Sequence, residues 1–161
     1  MLYSSISQKK GSDKVRVGVI IENNNSEILL VKDDIDRINK QIYNIPFVDI
    51  EDFNETEIIE ACNCKYGLKI DKIDRYINEN HFLDENCDEK LQINMSCKSN
   101  TPVIKNAIWS TVEDVLGKTE VPNDTKQCIE VYNYNSNLRW VNYECYSRNN
   151  RWYVWLRTNT I

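Results

Sequence analysis

Apolar and polar positions in VRVGVII at 15–21 alternate, and the run is rich in β-branched residues, the pattern of a strand on a pleated, largely covered surface. ENNNSE follows with the composition of a turn and ILLV at 28–31 supplies a return strand, which predicts a β-hairpin. DDIDRINK is polar and reads as a loop. QIYNIPF at 41–47 reads as another short strand ended by Pro46, with Asp49, Glu51 and Asp52 in the loop beyond it.

The period then changes from two to that of a helix. Ile58, Ile59, Cys62 and Tyr66 form one apolar stripe at helical spacing, and Glu57, Glu60, Ala61, Cys64 and Lys65 form the other face. Asn54 stands three residues before Glu57, as an N-cap does before its capping-box partner, and Gly67 has the place of a C′ glycine. Further on, LKIDKIDRYINENHFL at 68–83 predicts one or two strands, KLQINMSCKS at 90–99 a clearly alternating one and NAIWS at 106–110 a short one. STVEDVL and PNDTKQCIEVYNY, with Pro122 near the start of the second, predict helices. NLRWVNYECYS and RWYVWLRT, flanking a turn-like RNN, predict a C-terminal β-hairpin. Strands interleaved with helices indicate an α/β or α+β fold rather than a bundle or a sandwich.

Composition narrows the function. A chain of 161 residues with 41% hydrophobic content supports one domain with a core, plus at most a small appendage. A net charge of -5 speaks against binding nucleic acid through the overall field. The last 25 residues depart from this, with four arginines against one acid and many aromatics. The expected division is a body at 1–136 and a basic, aromatic hairpin at 137–161. Trp140, Tyr143, Tyr146, Trp152, Tyr153 and Trp155 suit packing or dimerisation, and base stacking on RNA ranks below these. The start, MLYSSISQKKGSDK, has no apolar segment of a signal peptide, so the expected location is cytoplasmic, with reduced thiols and no membrane contact. Six cysteines and a single histidine, His81, show no zinc-ribbon spacing. The abundant Asn, Ile and Lys are read as a compositional bias without functional meaning.

The order of hairpin, YNIPF, capped helix ending in YGL, mixed strands, AIWSTVEDVL and a last helix resembles the Nudix hydrolase superfamily over roughly residues 13–135. The resemblance implies a MutT-like mixed β-sheet sandwiched between helices and cleavage of pyrophosphate bonds in nucleotide-linked substrates. The family's box runs G-x5-E-x7-R-E-U-x-E-E-x-G-U, with U a bulky apolar residue. Anchored on Gly67 and Leu68, it puts Asp52 at the first acid, Glu60 at the arginine, Ala61 at the next Glu, Cys62 at U, and Cys64 and Lys65 at the paired Glu. IPF stands where PGG is usual, which places side chains, notably Phe47, where glycine would let backbone approach closely.

Positions 61, 64 and 65 are neighbours on one helix face, where three carboxylates would converge on Mg2+, a hard cation that takes oxygen ligands. Alanine offers no ligand, a thiol is soft and a lysine brings its own positive charge. The expectation is a degenerate box and a pseudo-hydrolase that still binds a nucleotide or other phosphate-containing ligand, with Lys65 and Phe47 as candidate contacts and no cofactor. Two alternatives remain open: an active hydrolase whose Mg2+ or Mn2+ is held by displaced acids at Asp52, Glu57 and Glu60, and an interaction module acting through the C-terminal hairpin.

Overall fold

Strands β1 (Leu2–Gln8), β2 (Val15–Glu22), β3 (Glu27–Asp33), β4 (Ile42–Asn44) and β5 (Phe47–Ile50) precede helix α1 (Glu55–Tyr66). Strands β6 (Arg75–Leu83), β7 (Glu89–Lys98) and β8 (Ala107–Thr111) follow, then helices α2 (Val112–Leu116) and α3 (Asn123–Tyr134), and strands β9 (Trp140–Arg148) and β10 (Arg151–Thr158). The computed structural model describes residues 2–8, 14–33, 42–84, 86–102, 104–134, 140–148 and 151–158, of which 2–8, 33, 140–148 and 151–158 are described as backbone only.

The alternation in β2 organises the body. Val15, Val17, Val19 and Ile21 enter one core with Ile58 and Cys62 of α1. Ile20 enters a second core with Ile28, Leu30, Cys128 and Ile129, beneath α2 and α3. Because successive side chains of a strand point to opposite faces, one strand serves both cores. The mixed sheet thus lies between α1 on one side and α2 with α3 on the other, as the resemblance implies.

The sheet runs in the order β4-β3-β2-β7-β6, with β5 also on β2 and β8 also on β3. β2 and β7 are parallel, from Arg16 opposite Gln92 to Glu22 opposite Lys98. The expected first hairpin forms, but β2 and β3 pair only beside the turn, at Glu22 and Ile28. They then diverge: β2 gives its first half to β5, and β3 pairs with β8 from Glu27 to Val31.

Three expectations need correction. Pro46 separates two strands rather than ending one, and its carbonyl accepts from the Val19 amide at 2.8 Å, a bond that needs no proline N–H. Asp49 is consequently on β5, not in a loop. Residues 68–74 are not strand, although Leu68, Ile70 and Ile73 are buried. Side chains satisfy part of that backbone: Asn63 exchanges two hydrogen bonds with Ile70, at 2.9 and 3.1 Å, and Ser99 Oγ donates to the Lys69 carbonyl at 2.9 Å.

The C-terminal hairpin forms with Arg151 opposite Arg148 and Thr158 opposite Trp140. β1, which the sequence pattern did not predict, adds antiparallel to β10 from Leu2 opposite Leu156 to Gln8 opposite Arg151. The first strand of the chain therefore joins the last two in one sheet. The hairpin's aromatic and arginine side chains, on which the dimer and RNA readings depend, lie outside the described residues. Among the described residues, no helix is long and apolar enough to cross a membrane.

Candidate functional site

Helix α1 presents the box positions. Asn54 Oδ1 accepts from the Glu57 amide at 2.9 Å, while the Asn54 amide donates to the Asp52 carbonyl, so the expected cap forms without the reciprocal half of a capping box. Gly67 ends the helix in the left-handed region at φ 67°, its N–H donating to the Asn63 carbonyl. Ile58 and Cys62 are fully buried, Ile59, Ala61 and Tyr66 are half-buried, and Glu57, Glu60, Cys64 and Lys65 are exposed.

Lys65 and Phe47, named separately in the sequence, meet in space. Lys65 Nζ donates to the Phe47 carbonyl at 2.9 Å and lies 4.2 Å from the centre of the Phe47 ring and 5.0 Å from that of Tyr66. Tyr66 Oη donates to the same carbonyl at 3.0 Å and accepts from the Phe47 amide at 3.1 Å. The last turn of α1 is in this way bonded to the start of β5.

These residues do not fit the divalent cation that the resemblance implies. Ala61 has no donor atom, and both lone pairs of the Phe47 carbonyl already have hydrogen-bond donors. Among the described residues, no three of His, Cys, Asp and Glu are grouped so as to hold a metal ion. The displaced-acid alternative finds Asp52, Glu57 and Glu60 exposed and not joined in such a group. Asp49 is engaged elsewhere, its Oδ1 accepting from Arg16 Nε at 3.0 Å.

A cleft on the α3 side of the sheet was not anticipated. Arg16, Gly18, Gln92, Asn94, Asn78 and Asn80 occupy neighbouring positions across β2, β7 and β6. Asn94, completely buried, donates through Nδ2 to Asn78 Oδ1 and Asn80 Oδ1, both at 2.9 Å, and its Oδ1 accepts from Gln92 Nε2 at 2.8 Å. Gly18 makes room for this group: a Cβ there would stand 2.5 Å from Asn94 Oδ1 and 2.8 Å from Gln92 Nε2. A cavity of about 130 Å³ is lined by Asn80, Gln92 and Asn94 of this group together with Asn44, Thr125 and Asp124, and Thr125 Oγ1 donates to Asn44 Oδ1 at 2.5 Å. A second, of about 240 Å³, is lined by Lys14, Arg16, Asp49, Phe82, Asp84 and Lys90.

Arg16 and Phe82 border both cavities, the guanidinium lying 4.2 Å from the Phe82 ring centre and 4.5 Å from that of Phe47. One side of the cleft is therefore rich in amides, with Asp124 and Arg16 at it, and the other is lined mostly by charged side chains. The signal for it was in the sequence: Asn78, Asn80, Gln92 and Asn94 fall at alternate positions of two strands, so the asparagines carry more than compositional bias.

The thiols are ordered by burial. Burial pushes Cys62 and Cys128 up from 9.0 to about 12 and raises Cys97 further, with Asp74 adding to the Cys97 shift and Lys65 slightly opposing that of Cys62. Cys64 and Cys87 are exposed. Native protein treated with iodoacetamide is expected to label Cys64 and Cys87 well before Cys62, Cys97 and Cys128, as read by peptide mass mapping. A group whose folded pKa is raised contributes stability that is complete below its unfolded pKa. For Cys62 and Cys128 that contribution is lost as pH climbs from about 9 towards about 12, so the urea midpoint should fall across that range.

No protein-family model matches this sequence, and no curated protein sequence does. Solved structures do match. A NUDIX hydrolase from Nitrosomonas europaea superposes with a TM-score of 0.59 at 22% identity, over 76% of this chain and 90% of that one. The MutT protein from Methanosarcina mazei Go1 gives 0.62 at 14% identity, over 76% and 94%. The NUDIX domain of Shewanella oneidensis NrtR, solved in complex with ADP ribose, gives 0.61 at 13% identity, over 79% and 90%. The chain has the Nudix fold.

Proposed function

We propose that this Nudix-fold chain is a pseudo-hydrolase: a module that binds a nucleotide or another phosphate-containing ligand without cleaving it. The observation that carries the reading is the pairing of a polar cleft with a helix face that lacks hard metal ligands at positions 61, 64 and 65. The cleft holds a hydrogen-bonded row of amides on the sheet, while the helix face that would hold a hydrolytic metal offers Ala61, Cys64 and a Lys65 bonded to Phe47. Amide groups at a small cavity suit the donor and acceptor edge of a heterocycle, and the two cations that share the Phe47 ring, Arg16 and Lys65, suit the anionic part of the same ligand. The complex of a similarly folded domain with ADP ribose makes that compound a reasonable first probe.

The test couples a phosphate-release screen to thermal shift. With Mg2+ or Mn2+ and added pyrophosphatase, nucleoside triphosphates, ADP-ribose and dinucleoside polyphosphates are expected to show no turnover above a heat-denatured control. At least one of these classes is expected to raise the melting temperature. Metal-dependent turnover that disappears in a Glu57→Gln, Glu60→Gln double variant would replace this reading with that of a hydrolase using displaced acids.

A further inference from the structure

We infer that the Lys65 ammonium substitutes for a divalent cation, so that the site holds the anionic group of its ligand without metal. The inference rests on the binding-module reading and adds to it the cationic partner and the independence from cofactor.

The argument begins at the Phe47 carbonyl. An sp² oxygen has two lone pairs, and here Lys65 Nζ and Tyr66 Oη donate to them. A metal ion using this oxygen would first have to displace a charged donor, and Ala61 and Cys64 provide no hard ligand in return. The place is held by a cation that is covalently part of the chain.

That cation keeps its charge available. Among the described residues no carboxylate pairs with Lys65; its neighbours are a neutral carbonyl and the rings of Phe47 and Tyr66. Ring faces attract an ammonium without neutralising it. Arg16 shares the Phe47 ring but is bonded to Asp49 by Nε at 3.0 Å and Nη2 at 3.4 Å. Of the two cations on this ring, Lys65 therefore supplies the uncompensated charge. An ammonium has three N–H donors, and the Phe47 carbonyl takes one, leaving others for a phosphate oxygen.

A plain helix-end lysine would explain a basic residue in the last turn, where the helix dipole favours it. It would not explain why the ammonium is directed away from its own helix to a carbonyl on β5, eighteen positions earlier in the chain. Formal charge agrees with the substitution. Three carboxylates and one dication leave a net negative site, whereas alanine, a thiol and a lysine leave a positive one.

The experiment measures ADP-ribose binding by calorimetry with EDTA and with excess Mg2+, for the full chain and for Lys65→Met and Lys65→Arg. Expected are affinities equal within about 2-fold in EDTA and Mg2+, a loss of about 10-fold or more in Lys65→Met, and partial retention in Lys65→Arg. The melting temperature of each variant, measured without ligand, separates lost binding from lost folding. Binding that requires Mg2+ would overturn the inference and leave the binding module standing. Binding in EDTA that Lys65→Met retains in full would also overturn it. Absence of binding by ADP-ribose, ADP and pyrophosphate alike would overturn both the inference and the reading beneath it.

Discussion

Replacing Asn94 by aspartate is expected to destabilise the fold by about 3 kcal/mol or more at neutral pH, because a carboxylate loses two buried hydrogen bonds and adds a buried charge. Asn94 is fully buried, and its Nδ2 is the donor to both Asn78 and Asn80. An ionised carboxylate cannot donate, and it would face two side-chain carbonyls across β6. Burial would raise the folded pKa of the new carboxyl above its unfolded value near 3.9, so the penalty is largest at pH 7 and shrinks as pH falls towards that value. Urea midpoints of parent and variant at pH 7 and near pH 4 measure both parts. A deficit below about 1 kcal/mol at pH 7 would mean that the amide group is not the buried, mutually dependent unit described here.

The second large effect belongs to α1. Ile58→Ala removes most of a fully buried side chain from the core shared with β2, β5 and β7, and is expected to cost about 2–5 kcal/mol by lost transfer energy and the cavity left behind. Glu57→Gln with Glu60→Gln, on the exposed face of the same helix, is expected to change stability by no more than about 0.5 kcal/mol. Thermal or urea unfolding of the two variants gives the contrast directly. A small loss in Ile58→Ala would contradict the place of α1 as a wall of that core. A large loss in the double glutamate variant would show that these acids have structural partners beyond those seen.

The elements that depend on local order were read well. The N-cap at Asn54 and the left-handed Gly67 need only their own neighbours, and both fall where the pattern placed them. The strand at Glu89–Lys98 and the helix at Asn123–Tyr134 follow from strong periods over ten or more residues. The failures lie where tertiary contacts outweigh pattern. Leu68, Ile70 and Ile73 have the apolar spacing of a strand, yet Asn63, Ser99 and Thr101 supply partners that a sheet neighbour would otherwise provide. Strand β1 is polar and weakly patterned, and its pairing depends on β10, nearly the whole chain away.

The same division runs through the site. The sequence by itself determined that position 61 has no carboxylate, that 64 is a thiol and 65 a lysine, because ligand chemistry belongs to residue type. It also determined the helix that carries them. Only the tertiary structure decided that Lys65 bonds to Phe47, that Arg16 meets Asp49 and Phe82, and that Asn78, Asn80, Gln92 and Asn94 form one hydrogen-bonded group. The physical reason is that periodicity reports which face of an element is buried, whereas a side-chain hydrogen bond depends on strand order and register. Those are set by contacts between distant segments, such as the parallel pairing of β2 with β7, which no local pattern contains.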